Sequence, residues 1–261
     1  MLEAGHTFLA RLGKTRLRPG GIDATDWLVD KAHIEPDTKV LEVACNMGTT
    51  MIVLAKRYGC SATGLDLDER ALDKARANIQ KNHLGDKLHV VLGSAFDLPF
   101  EDQSFDIVIN EAMLTMLSNR DKNRALVEYS RVLKPSGLLL TQDVCYRTDD
   151  VETQQELRTG LSRAINVSVE PLDCEGWKSR IEEHGFVTEQ KSGDMTLLDP
   201  QGMVRDEGVD GALKVMLNAM KQENFEMFAR MFHFFNDHKS DLGYVANFSR
   251  RAADAAGWLA G

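Results

Sequence analysis

Short apolar runs alternate with amphipathic stretches from residue 39 to 143, and no other feature of the chain constrains its fold as tightly. Residues 40–44 (VLEVA) follow Pro36-Asp37 and read as a strand. Residues 49–58 read as a helix closed by Gly59 at the position that favours a left-handed backbone. Residues 61–66 form a second predicted strand. Asp68 suits the N-cap of a helix running to about Asn82, with Leu72, Ala75 and Ile79 on one face. Residues 88–92, 105–110 and 138–141 complete five strands, and a helix over 122–133 is stopped by Pro135-Ser136-Gly137. Further on, a helix over 177–184 ends at Gly185, and 186–191 and 243–248 add two strands. Helices over 211–220 and 224–235 lie between them. Apolar strands alternating with amphipathic helices predict an α/β, doubly wound, mostly parallel seven-stranded sheet of Rossmann-like type with helical cap insertions.

Composition narrows the partners. With 261 residues the chain has room for one large domain and an ample core. Its 31 basic and 40 acidic side chains give a formal charge of −9, which argues against a nucleic-acid backbone partner. Cys45, Cys60, Cys145 and Cys174 are scattered with no CxxC, which predicts reduced thiols in a cytoplasmic protein and no metal site. No apolar run is long enough for a membrane span, and charges break the first 17 residues too early for a secretory signal.

In an open parallel sheet the ligand binds beyond the carboxyl ends of the strands. After the first strand comes Ala44-Cys45-Asn46-Met47-Gly48, a tight turn in which Gly48 permits close backbone approach and Asn46 tolerates positive φ. The free N–H groups of the following helix suit a carboxylate or phosphate. Asp66 ends the second strand 18 positions beyond Gly48. An acid about 20 residues after such a turn accepts hydrogen bonds from ribose hydroxyls. A plain structural turn and a helix-capping aspartate are the simpler readings of each feature alone, although Asp68 serves the cap better. Together they point to an adenosine-containing ligand. A nicotinamide fingerprint fails because Ala44, Asn46 and Thr49 stand where its glycines belong. A phosphate loop ending at Gly13-Lys14-Thr15 fails because Phe8 opens it.

At these residues the chain resembles the class I S-adenosylmethionine-dependent methyltransferases, small-molecule branch, including quinone-biosynthesis-like enzymes. The segment Val40 to Gly48 resembles their first motif and Gly64-Leu65-Asp66-Leu67 their second. Leu98-Pro99-Phe100 with Ser104 to Val108, and Arg131 to Gly137, resemble the approaches to the fourth and fifth strands. Arg18-Pro19-Gly20-Gly21 resembles an entry segment of part of that branch. The resemblance implies one domain over 1–261. Its parts are a lid segment 1–35, a cofactor-binding core 36–145, a mixed cap and substrate-recognition region 146–240, and a last strand and tail 241–261. It implies S-adenosyl-L-methionine as cofactor, held by Arg18, Glu42, Ala44, Cys45, Asn46, Gly48, Asp66, Leu67, Ser94, Ala95, Phe96 and Asn110. Ser94 stands where the family usually has an acid for the adenine amino group.

Methyl transfer by in-line displacement needs a base only if the acceptor must lose a proton. Glu111 and Asp143 follow strands at the right ends, and His6 lies in the segment that can close over the site. A loop carboxylate and a solvated histidine are the simpler readings. Cys45 reads as a packed thiol, and nothing in the sequence activates Cys145. The Met- and Phe-rich stretch 203–235 reads as core first, with an apolar acceptor pocket or a homodimer surface as alternatives. The expected partner is a small-molecule methyl acceptor, partly apolar. A non-catalytic cofactor-binding sensor is the rival from another class. A nucleic-acid methyltransferase is disfavoured because Asn110-Glu111-Ala112-Met113 lacks the proline pair that grips a flipped base.

Overall fold

In the computed structural model, which describes residues 2–252, β1 (Lys39–Val43) is buried at Val40, Leu41 and Val43 and lies in the interior of the sheet. Parallel partners flank it: β2 (Ser61–Asp66), followed outward by β3 (Leu88–Leu92), and β4 (Phe105–Glu111), followed by β5 (Leu133–Tyr146). β8 (Leu242–Arg251) inserts antiparallel between β5 and β7 (Phe186–Asp194). The order is β3-β2-β1-β4-β5-β8-β7, so the winding reverses between β1 and β4 and opens a crevice there. A two-residue strand, β6 (Leu172–Asp173), pairs with the end of β5 and raises the expected seven strands to eight among the described residues.

Three apolar layers follow from the patterning. One sheet face packs Val40, Ile107 and Leu140 against α2 (Gly21–Lys31), α3 (Thr49–Tyr58) and α4 (Glu69–Lys81). The other packs Leu41, Val108 and Leu139 against α5 (Asn119–Val132) and α7 (Cys174–Glu182), where Tyr129 and Trp177 are fully buried. A separate cap core joins α1 (Gly5–Leu12), α6 (Val151–Ile165), α8 (Pro200–Ala219) and α9 (Gln222–Asp237). Among the described residues no helix is long and apolar enough to cross a membrane.

Local signals fall where the residues put them. Gly59 closes α3 at φ 74°, and the Asp68 carboxylate caps α4 by accepting the Arg70 N–H. Other boundaries move. β1 sits one residue earlier than expected. β5 runs 14 residues instead of four, because it pairs with β8 from Leu138 to Tyr146 through the polar stretch Thr141-Gln142-Asp143. The expected helix over 211–220 is the second half of α8, which starts at Pro200 and kinks at Gly208 (φ 73°). Helices α1, α2 and α6 had no sequence expectation.

Candidate active site

The turn from β1 to α3 alternates left-handed residues: Ala44 at φ 59°, Asn46 at 47° and Gly48 at 75°. Asn46 takes the conformation its side chain tolerates. Ala44 takes it against a steric penalty of about 1–2 kcal/mol. The result aims the Asn46 N–H at the second strand, where it donates to Asp66 Oδ2 at 2.9 Å. The Asp68 N–H donates to Asp66 Oδ1 at 3.0 Å. Each Asp66 oxygen keeps a further lone pair. Cys45 Sγ packs over Gly64, where a Cβ would meet it at 2.6 Å, and burial pushes its thiol up, so it is a packed thiol.

Glu42, at the end of β1, is buried and accepts the Met51 N–H at 3.0 Å, closing the first turn of α3. Burial and the neighbouring Glu111 push its carboxyl up to about 8, against the pull of Arg18 and the Met51 N–H. Asn110, fully buried at the end of β4, donates from Nδ2 to the Val43 carbonyl at 2.9 Å. Its Oδ1 is buried with no hydrogen-bond partner. Leu67 stands exposed beside Asp66. Across the crevice Ser94 Oγ accepts the Phe96 N–H, Ala95 is buried, and Arg124 lies over the Phe96 ring.

The N-terminal segment covers this crevice through a buried network that no sequence spacing announces. Arg18 donates to Thr50 Oγ1 at 2.8 Å and pairs with Glu111, both side chains being under one-tenth exposed. Glu111 also accepts from Thr25 at 2.5 Å, Thr50 at 3.2 Å and Gln142 at 2.6 Å. Gln142 in turn accepts the Gly20 N–H. With both oxygens engaged, Glu111 fastens the segment to the sheet and has the geometry of a positioning group, not of a base awaiting an acceptor. Arg18 belongs to the same fastening.

Asp143 is likewise fully buried. Its Oδ1 accepts both the N–H and the hydroxyl of Thr115 at 2.8 Å, which holds the short 3-10 turn Leu114–Met116 on β5. Its Oδ2 has no partner, and burial raises its carboxyl to about 7 against those hydrogen bonds. Thr115 and Met116 line a cavity beyond the end of β4 and beside β5, roofed by α1 and the cap helices. The lining is apolar (Met195, Met231 and Phe235 among it) except for Thr115 and His6. Of the Met- and Phe-rich stretch, Met231 and Phe235 reach this cavity, Met203 and Phe228 fill the cap core, and Met220 and Phe225 stay exposed. His6 Nδ1 is buried without a partner. Burial lowers its basicity, against the raising effect of the Asp66 and Asp68 charges, and the residue lines the cavity. Among the described residues no three His, Cys, Asp or Glu side chains group as metal ligands.

Residues 40–137 match the methyltransferase domain family. An uncharacterized protein of Haemophilus influenzae is 57% identical over 95% of this chain and 98% of its own length. The demethylmenaquinone methyltransferase of Staphylococcus haemolyticus is 36% identical over 44% of this chain and 46% of that protein, so the chain spans about half of that named relative. Geranyl diphosphate C-methyltransferase from Streptomyces coelicolor, solved with S-adenosyl-L-homocysteine, superposes with a TM-score of 0.66 at 16% identity. The superposition covers 88% of this chain and 78% of that one.

Over residues 40–137 the chain is similar to methyltransferases.

That similarity implies S-adenosyl-L-methionine as the cofactor. The crevice fits it on three counts. A buried acceptor without a donor, Asn110 Oδ1, suits an ammonium group. A carboxylate with open lone pairs, Asp66, suits a diol. An exposed apolar side chain beside it, Leu67, suits a purine face. Glu42, Asp66 and Asn110, expected from the sequence to hold the cofactor, all stand at this crevice. Sequence reasoning did not find Thr25, Thr50, Gln142 or Thr115, because short polar side chains carry no spacing signal and acquire roles only from what folds against them.

Proposed function

We propose that this chain is an S-adenosylmethionine-dependent methyltransferase acting on a small, largely apolar acceptor seated in the cavity beyond β4 and beside β5, and that His6 takes the acceptor's proton. In this reading Asp66 holds the ribose hydroxyls and Leu67 covers the adenine. Ala95 and Phe96 close its other side, and the turn from Ala44 to Gly48 with Asn110 receives the methionine end. Glu42 supports the turn from beneath through the Met51 N–H. The cofactor supplies a methyl group already activated on a sulfonium. Asp66→Ala is expected to weaken S-adenosylmethionine binding at least about tenfold, since two hydroxyl hydrogen bonds to a charged acceptor are lost. Calorimetric titration checks this, and an unchanged affinity removes Asp66 from the role.

The observation that carries the acceptor reading is the lining itself: an apolar chamber whose one titratable side chain among the described residues is His6, half-buried, with its Nδ1 buried and without a partner there. Burial keeps that ring neutral at neutral pH, the state a base requires. The chamber in this closed form measures about 60 Å³, against roughly 300–1,000 Å³ for ligand sites, so α1 must swing aside for an acceptor to enter. Incubation with cell extract partitioned into organic and aqueous fractions is expected to release S-adenosylhomocysteine with the organic fraction. Turnover with the charged aqueous metabolites alone overturns the reading. On the acceptor so found, His6→Asn is expected to lower kcat about 100-fold and leave cofactor affinity unchanged. The wild-type rate should hold below the ordinary imidazole pKa of about 6.5 before it falls.

A further inference from the structure

We propose that Cys145 and Cys174 are a peroxide-responsive thiol pair that closes to a reversible disulfide, a modification site independent of the methyl-transfer reading. The two cysteines lie 29 residues apart in sequence, yet their sulfurs stand 3.8 Å from each other. The small strand β6 makes the juxtaposition: it sets Leu172 opposite Cys145 and Asp173 opposite Tyr146, and α7 then begins at Cys174. Cys145 is fully buried, whereas Cys174 is only partly buried. Of the two, Cys174 is the one nearer to solvent and Cys145 is held in reserve.

The surroundings distinguish the two sulfurs chemically. Cys174 is the first residue of α7, where helix N–H groups favour a thiolate. Its contact with Cys145 lowers the Cys174 thiol to about 6, helped by Ser192, and raises that of Cys145. Cys45 and Cys60 are buried and pushed up by burial, which makes them inert by comparison.

The chemistry balances with hydrogen peroxide or an organic hydroperoxide as oxidant. The Cys174 thiolate attacks one peroxide oxygen. An S–O bond forms, the O–O bond breaks, and the departing oxygen takes a proton from solvent. The Cys145 sulfur then attacks the Cys174 sulfur. The S–S bond forms, the S–O bond breaks, and hydroxide leaves as water with the Cys145 proton. Two thiols lose two electrons and the peroxide gains them. The cross-link ties off residues 146–173, the segment that brings Leu161, Ile165 and Val169 to the cavity wall.

The test uses the full chain in its native state. One equivalent of hydrogen peroxide is added, free thiols are alkylated after denaturation, and the protein is digested without reduction. The expected result is a mass-identified cross-link between the Cys145 and Cys174 peptides, with Cys45 and Cys60 alkylated and no sulfenic acid trapped by dimedone. In Cys145→Ser the cross-link disappears and dimedone labels Cys174. Conversion of Cys174 to sulfinic or sulfonic acid in the native protein without a cross-link overturns the proposal, as does oxidation no faster than at Cys45 or Cys60. If Cys145→Ser does not fold, the pH dependence of maleimide labelling of the native protein decides. A midpoint below the ordinary thiol value of about 8.5 supports a thiolate at Cys174, and a midpoint at or above that value rejects it.

Discussion

Arg18→Met is expected to lower the free energy of unfolding by about 3–5 kcal/mol. Arg18 and Glu111 are 8% and 7% exposed, and their ion pair is the charged centre of a network that also takes in Thr25, Thr50 and Gln142. Removing the guanidinium leaves a buried carboxylate facing Glu42, a second buried acid that already feels Glu111 as a repulsion. The penalty is that of an uncompensated charge, not the worth of the pair, and this supplies its own control. Arg18→Met combined with Glu111→Gln removes both charges and should recover most of the loss, because neutral replacement of a buried pair is close to neutral in stability. Urea denaturation of the two variants reads the difference. A single variant within about 1 kcal/mol of wild type would mean that the pair does not fasten the N-terminal segment.

That pair also marks where sequence reasoning reached its limit. The strands around β1 were legible because Val, Ile and Leu repeat there with breaks at Gly59, Asp68 and Pro135, each with a local physical reason. The Asp66 spacing was legible because a turn, a helix and a strand fix the distance along the chain. The sequence offers Glu111 as a candidate base just after β4, and the structure makes it the last residue of that strand. What the spacing could not convey is that α2 folds back over that place and brings Thr25 to its carboxylate. The same holds for α1. Its residues show too short a periodicity to stand alone as a helix in water, and the cap core of α6, α8 and α9 supplies the surface that Phe8, Leu9 and Leu12 bury. The cysteine pair was hidden for a related reason. Two cysteines 29 residues apart carry no motif, and a two-residue strand is below any pattern threshold.

The unliganded protein should lose stability as pH rises from about 4 to about 8, the reverse of ordinary acid denaturation over that range. Two fully buried carboxyls set the sign. Asp143 is raised by burial from 3.8 to about 7, and Glu42 is raised by burial and by Glu111 from 4.5 to about 8. Between each pair of values the folded protein keeps a proton that the unfolded chain has released. The native state then binds more protons than the unfolded state, so the unfolding free energy falls with pH. One such group contributes a slope of at most about 1.4 kcal/mol per pH unit, and two together approach roughly 3 kcal/mol per unit where their windows overlap. The overlap runs from about pH 5 to 7, and only the Glu42 slope persists toward 8. Below about pH 3, under both unfolded values, both groups are protonated in either state and the effect vanishes. Chemical denaturation at intervals between pH 4.5 and 8.5 measures the slope. Glu42→Gln should flatten its upper part and Asp143→Asn its lower part. A stability that rises through this range would show that both carboxylates are ionised when folded. That result would place a compensating cation or water beside Asp143 Oδ2, the oxygen that has no partner.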